Sequence, residues 1–450
     1  MKIDFENLGS IKKGSIELND LTLLCGPNNC GKTYVMYSLY GLLDKEFEIR
    51  FSFVTKMISQ LKEQGTYSFD VCEIITLYQK DMILDIEKHF KEYLPSLFGV
   101  TDEEFIKTTI KLNFDNRKLK EQVINEEINS QISLGKSSDW LFLLEKEEKS
   151  TKIQCTLRNT EIPDKILQRF ISINLTNIIF KGLSKESFLL PAERAGLNLF
   201  FRELSSTRNL LLQHAQKDSI DPMELLKDIF ESKYADPVND YIQYLNKIGI
   251  RKKEKSIYRE YALEIQKNIL NGKYEVDKQG NVFFMPYRSQ NKKLPLHFSS
   301  STVKTFFGLV FYLEHQAKKG DCLMIDEPEL NLHPDNQRNV ARVIAQLVNS
   351  GLKVVVSTHS NYFIRELNNL IMLENDFPEK EKIIKRFSYQ DNELLNRKKI
   401  SAYLFDSKGI SPMTMDDEGI IVETFDTVTN KLNQSSNEIF YAIQDAKELV

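Results

Sequence analysis

The stretch 26-GPNNCGKT-33 follows the apolar run 21-LTLLC-25 directly. Gly26, four residues, then Gly31-Lys32-Thr33 is the G-x-x-x-x-G-K-[ST] spacing of a phosphate-binding loop. Glycines permit the tight turn that aims successive backbone N–H groups at one phosphate, and the N-terminus of a following helix adds a favourable dipole. The pattern assigns Asn28, Asn29, Cys30 and Gly31 to the cradle. Lys32 is expected on the terminal phosphates and the Thr33 hydroxyl on a Mg²⁺ ion. Context agrees. Leu21–Cys25 reads as a short buried strand, and Val35, Met36, Leu39, Leu42 and Leu43 recur at helical spacing.

The rest of the chain sets the bounds. Its 450 residues suffice for two or three domains, and 41% hydrophobic with 28% charged residues is the composition of a soluble globular protein. The formal net charge of −4 gives no global attraction to nucleic acid or to an anionic membrane surface. Five scattered cysteines, Cys25, Cys30, Cys72, Cys155 and Cys322, suit reduced thiols and show no metal-ligand spacing. The start, 1-MKIDFENLGS-10, alternates like a strand and lacks a signal-peptide layout. The longest apolar run, 306-FFGLVFYL-313, is far short of a membrane span. A cytoplasmic location without membrane contact is expected.

Residues 46–150 turn charged and helical, as in 74-IITLYQKDMILDIEKHFKEYL-94 and 115-DNRKLKEQVINEEINSQI-132. Strand-like 152-KIQCTL-157 follows, and an apolar run ends at 191-PAERAG-196. A second helical stretch covers about 198–270, and 273-KYEVDKQGNVFFMP-286 reads as a hairpin. Two fully apolar strands, 322-CLMI-325 and 353-KVVVS-357, flank the amphipathic helix 336-NQRNVARVIAQLVNSG-351. That is a βαβ crossover, with strands of the kind covered by helices on both faces.

In 322-CLMIDEPE-329 an acidic pair closes one of these strands. Asp326 is expected in the Mg²⁺ shell, and Glu327 to polarise an attacking water. The segment 326-DEPELNLHP-334 resembles the extended second acidic motif of ABC-type ATPases, in the branch holding SMC, RecF and OLD-like proteins. His359, in 353-KVVVSTHS-360, is similar to that class's switch histidine. The segment 297-HFSSSTVK-304 stands where the family carries its signature, although serines replace the usual glycines and Thr302 the usual Gln. Around 191-PAERAG-196 the family keeps a glutamine-bearing loop; here Glu193 or Arg194 stands in, and a salt-bridging surface turn is the other reading.

The resemblance implies an α/β fold: an ABC-type P-loop ATPase domain built from both ends of the chain, with helical insertions. Its parts would be residues 1–45, 185–204 and 271–400, interrupted by a mainly helical insertion at 46–184 and another at 205–270, with a hairpin and helix at 401–450. The cofactors implied are ATP and Mg²⁺. Partners would include a second copy, as homodimer or higher oligomer, with Ser299, Ser300 and Ser301 contacting the phosphates bound on the opposite subunit. Three functions compete. The first is the ATPase subunit of a bacterial antiphage defence system, similar to those of PARIS, Septu or retron type, controlling a separate nuclease or toxin and answering to a phage protein or DNA. The second is an SMC/RecF-like repair ATPase clamping DNA. The third, an OLD-type nuclease, finds little room after Ser360, and its candidate acids 416-DDEG-419 fit a hairpin turn.

Overall fold

The computed structural model describes residues 1–44, 51–133, 140–181, 185–215, 234–248, 254–289, 292–421 and 423–448. Parts of the second helical stretch expected over about 198–270, residues 216–233 and 249–253, lie outside them.

Strands β1 (Lys2–Leu8) and β2 (Ile11–Glu17) form a hairpin that leads into β3 (Leu21–Cys25). Beyond the phosphate loop come β4 (Thr66–Asp70), β5 (Thr109–Asn113), β6 (Ile128–Ser133), β7 (Trp140–Lys146) and β8 (Lys152–Leu157). Strand β5 adds to the N-terminal hairpin in the order β2-β1-β5, while the others pair antiparallel as β4-β8-β7-β6. This sheet is additional to the helices expected between 46 and 184. The helix expected over 115–132 covers Asn116–Asn125, and its remainder is β6. Asp115 caps that helix by accepting from the N–H groups of Arg117 and Lys118.

The central sheet takes β3 from the start of the chain, β9 (Ser187–Leu190) from its middle, and the rest from its last third. After the antiparallel set β10 (Gly272–Val276), β11 (Val282–Pro286) and β12 (Leu294–Pro295) come β13 (Cys322–Asp326), β14 (Lys353–Thr358), β15 (Ile400–Asp406) and β16 (Gly409–Pro412). The order is β16-β15-β3-β14-β13-β9, parallel except for the edge strand β16. Side chains alternate across it. Leu23, Ile325, Val354 and Val356 face one hydrophobic core, while Leu24, Met324 and Val355 face the other. Helices on both faces exclude water, which is why these strands are apolar along both edges of their pleat.

The helix Pro334–Asn349 crosses from β13 to β14. Pro334 at its first turn sacrifices no bonded N–H, and Gly351 just past its end takes a φ of 92° that suits glycine. Strands β17 (Met415–Asp416) and β18 (Gly419–Ile420) close the hairpin around 416-DDEG-419, with Asp416 opposite Gly419. The final helix, Glu423–Glu448, runs without interruption, and every described side chain from 430 to 444 is exposed.

Candidate functional site

Three elements converge at the carboxyl end of β3. Gly26 adopts φ 144° where the chain passes under β15; a Cβ there would lie 2.3 Å from the Phe405 carbonyl oxygen. Asn29 and Gly31 also take left-handed φ values of 62° and 89°, turning the loop back on itself. Asn28 and Asn29 are exposed at its tip, Cys30 is half-buried, and the helix Lys32–Asp44 starts immediately afterwards with no acidic residue in its first turn. Free N–H groups at the start of a helix make an anion cradle. Lys32 is buried, and its Nζ donates to the carbonyls of Gly26 at 2.9 Å and Pro27 at 2.7 Å. The ammonium is thus already held across the loop.

The acidic half lies against it. Asp326 ends β13, nearly fully buried, and its Oδ2 accepts from Thr33 Oγ1 at 3.0 Å. Its Oδ1 accepts from the Ser357 hydroxyl on β14. A hydroxyl beside a carboxylate is the hard, oxygen-only donor pair that suits Mg²⁺. Glu327 follows with φ 51°, its N–H donating to both the carbonyl and the hydroxyl of Ser357. Burial pushes the Glu327 carboxyl above its usual range; His359 opposes this, and the charges of Asp326 and Glu329 add to it. His359 Nδ1 stands 3.4 Å from Glu327 Oε1 and 3.6 Å from Glu329 Oε1.

Arg194 lies under this turn, only 3% exposed. Its Nη1 donates to the carbonyls of Asp326 at 2.6 Å and Pro191 at 3.1 Å, and its Nη2 to that of Glu327 at 2.7 Å. One guanidinium therefore fixes two consecutive carbonyls of the acidic turn. Burial lowers its pKa, and the Tyr241, Asp326, Glu329 and Glu327 groups counter that. Glu193 is exposed on the same turn. Of the pair read from the sequence, Arg194 meets the acidic turn directly.

The serine segment stands at the start of the helix Ser301–His315. Ser300 is its N-cap, accepting from the Val303 N–H at 3.3 Å. Ser299 is buried and Ser301 exposed. Three bonds connect this helix to the acidic side, one of them from Asn331 Nδ2 to the Thr305 hydroxyl at 3.4 Å. Thr302 Oγ1 donates to the Asn331 carbonyl at 3.0 Å, and Asn198, one turn beyond Arg194, donates to the Lys304 carbonyl at 2.6 Å.

Ser357, Glu329 and Asn198 were not singled out by sequence reasoning. The signal for Glu329 was present in 326-DEPE-329, a third acid one proline beyond the first pair. Ser357 and Asn198 carry no local signature.

The AAA ATPase domain family model matches residues 1–364. The chain belongs to this AAA ATPase domain family. No curated protein matches it. Among solved structures, this AAA ATPase domain protein is similar to the SMC head domain from Thermotoga maritima, with 8% identity and a TM-score of 0.31 over 92% of this chain and 98% of that one. It is also similar to an SmcHead bound to the C-winged helix domain of ScpA, at 11% identity and TM-score 0.34 over 92% and 97%. A third is the Smc head domain with an extended coiled coil bound to the C-terminal domain of ScpA, derived from Pyrococcus furiosus, at 11% identity and TM-score 0.33 over 97% and 98%. Among the described residues, no helix is long and apolar enough to cross a membrane.

Proposed function

We propose that this protein binds Mg-ATP at the β3 loop and hydrolyses it. The observation that carries the reading is the Thr33–Asp326 hydrogen bond, which joins the phosphate loop and acidic motif across 293 residues of sequence. Residue types, order and contact all match what phosphoryl transfer requires of a protein: positioning and charge stabilisation. Asn28, Asn29, Cys30 and Gly31 supply the cradle, and Lys32 leaves its loop carbonyls for the β/γ-phosphates. Thr33 and Asp326 hold Mg²⁺, which neutralises charge on the phosphates when bound. Glu327 orients and deprotonates water, and His359 faces the γ-phosphate. Arg194 fixes the turn from which Glu327 projects. Ser299, Ser300 and Ser301 complete the site of a second copy.

In the cell, the ATPase acts as sensor and scaffold of a bacterial antiphage defence complex, controlling a separate nuclease or toxin. The support is the resemblance of 191-PAERAG-196 and 357-STHSNYFIRELNNLI-371 to such ATPases. The competing reading is an SMC/RecF-like ATPase that clamps DNA, equally compatible with the family. Among the described residues, no group of three or more His, Cys, Asp or Glu side chains is placed to hold a metal ion, so the nuclease reading gains no support.

Glu327→Gln tests both levels. It should retain ATP and lose about 10²–10⁴-fold in turnover, as expected for removal of a general base. Turnover at the parent rate would remove Glu327 from that role. Recovered from its native host, the trapped variant should carry a stoichiometric effector protein; recovery with DNA alone would move the assignment to the clamp.

A further inference from the structure

The acid at 329 is absent from the chemistry above, yet it is one of the most tightly engaged groups in the site. Glu329 is 5% exposed. Its Oε1 accepts from the Thr358 hydroxyl at 2.7 Å and from the His359 backbone N–H at 2.9 Å. Thr358 in turn accepts from the Ser360 N–H at 3.0 Å. Three consecutive residues at the exit of β14 are thereby fastened, directly or through one hydroxyl, to one carboxylate oxygen.

The imidazole completes the arrangement. His359 Nδ1 is buried without a hydrogen-bond partner, and so is Glu329 Oε2. Buried polar atoms without partners are uncommon and call for a physical reason. Here both belong to one pair of side chains, with Nδ1 3.6 Å from the other oxygen of that carboxylate, Oε1. The other group facing Nδ1 is the Glu327 carboxylate at 3.4 Å. Ionised carboxylates only accept, so the ring nitrogen turned towards both is the one that carries the proton. The His359 side chain is nevertheless 38% exposed, and with Nδ1 buried that exposure belongs to the rest of the ring.

We propose that Glu329 is the positioning residue of His359: its buried carboxylate anchors the turn, holds Nδ1 as the protonated nitrogen and leaves Nε2 facing the site. The assignment of the ring's orientation stands on the geometry alone; its consequence for turnover rests on the ATPase reading above. Glu329 touches neither nucleotide nor water in this scheme. It acts through His359.

The first measurement is the nitrogen shifts of labelled histidine, with His359 assigned among the six histidines by loss of its signal in His359→Ala. The parent should show Nδ1 protonated and Nε2 free. Glu329→Met, which removes both acceptor oxygens, should give mixed tautomers; Glu329→Gln, which keeps one, should preserve the parent pattern, as should Glu327→Gln. An unchanged His359 pattern in folded Glu329→Met, or a change caused by Glu327→Gln instead, would overturn the proposal. Thr358→Val, nearly isosteric, provides a second route should Glu329→Met fail to fold, because it releases the same anchor. The second measurement is a double-mutant cycle on ATP turnover. Glu329→Met and Thr358→Val should each lower kcat about 10–100-fold with KM unchanged, the scale of a displaced reacting geometry. In a His359→Ala background neither should cost anything further. Losses that multiply would show that Glu329 acts independently of His359. A parent protein without ATP turnover would refute the ATPase reading while the tautomer result still decides the role of Glu329.

Discussion

Replacing Arg194 by Met removes three hydrogen bonds while leaving much of the side-chain volume in place. A bond from a charged donor contributes about 1.5–3 kcal/mol, so the gross loss is about 5–9 kcal/mol. Two effects reduce it. Burying a guanidinium costs several kcal/mol, which the variant no longer bears. The Pro191 and Glu327 carbonyls also keep other donors, the N–H groups of Arg194 itself and of Leu330. A net destabilisation of about 3 kcal/mol is expected, read from urea unfolding. The catalytic effect should be larger in proportion. Without the guanidinium, the left-handed turn at Glu327 loses a clamp on both its carbonyls, and a carboxylate displaced by about 1 Å costs on the order of 10² in turnover. ATP affinity, set by the loop, should stay within about threefold. A variant within about 1 kcal/mol of the parent and with full turnover would refute the idea that Arg194 holds the base in place.

Gly26→Ala should abolish ATP binding and destabilise the fold by about 1–3 kcal/mol, because the new Cβ meets the Phe405 carbonyl at a backbone angle hostile to alanine; equilibrium nucleotide binding and thermal unfolding check it. Ser300→Arg should spare binding and lower turnover about tenfold or more if sites form between copies; unimpaired phosphate release would indicate a site complete in one chain. Arg342→Met should cost about 3 kcal/mol, since Glu366, 1% exposed, is held by Arg338 at 2.8 Å and Arg342 at 2.6 Å. Burial alone would raise the Glu366 carboxyl, but these two arginines bring it below its usual range. The stability this ion pair contributes is therefore present above the ordinary Glu pKa and lost as pH falls through the lowered value. In Arg342→Met that acid-side loss should be smaller and complete at a higher pH, measured as unfolding free energy along a pH series.

Legibility followed locality. The phosphate loop, β13, β14 and the crossover helix were readable because each announces itself within about twenty residues, through glycine spacing or an unbroken apolar strand. Strands β4 and β6 were not: Thr66–Asp70 and Ile128–Ser133 are short and half-buried, with polar residues on most positions. The end of the 115–132 helix was misread for the same reason, its polar residues suiting a solvated helix as well as an edge strand. At the C-terminus, 420-IIVETF-425 has strand-like composition, yet the helix begins at Glu423. In the site, residue types were legible and their partners were not. Nothing near Arg194 in sequence says that its guanidinium meets carbonyls more than 130 residues away, and Glu329 gains its importance only when Thr358 and His359 arrive beside it.

The strand that launches the phosphate loop has neighbours that are synthesised long after it. β3 ends at Cys25, and its two flanking strands run from Lys353 to Thr358 and from Ile400 to Asp406. During translation the loop sequence leaves the ribosome well before the strands that wall it. For most of that time an apolar five-residue strand, LTLLC, stays without its ladder partners, the kind of segment that chaperones retain and that aggregates if released early. The grip on nucleotide thus waits for the strands that flank the loop. Chains that stop before about residue 400 would contain the whole motif and still lack one wall of its pocket.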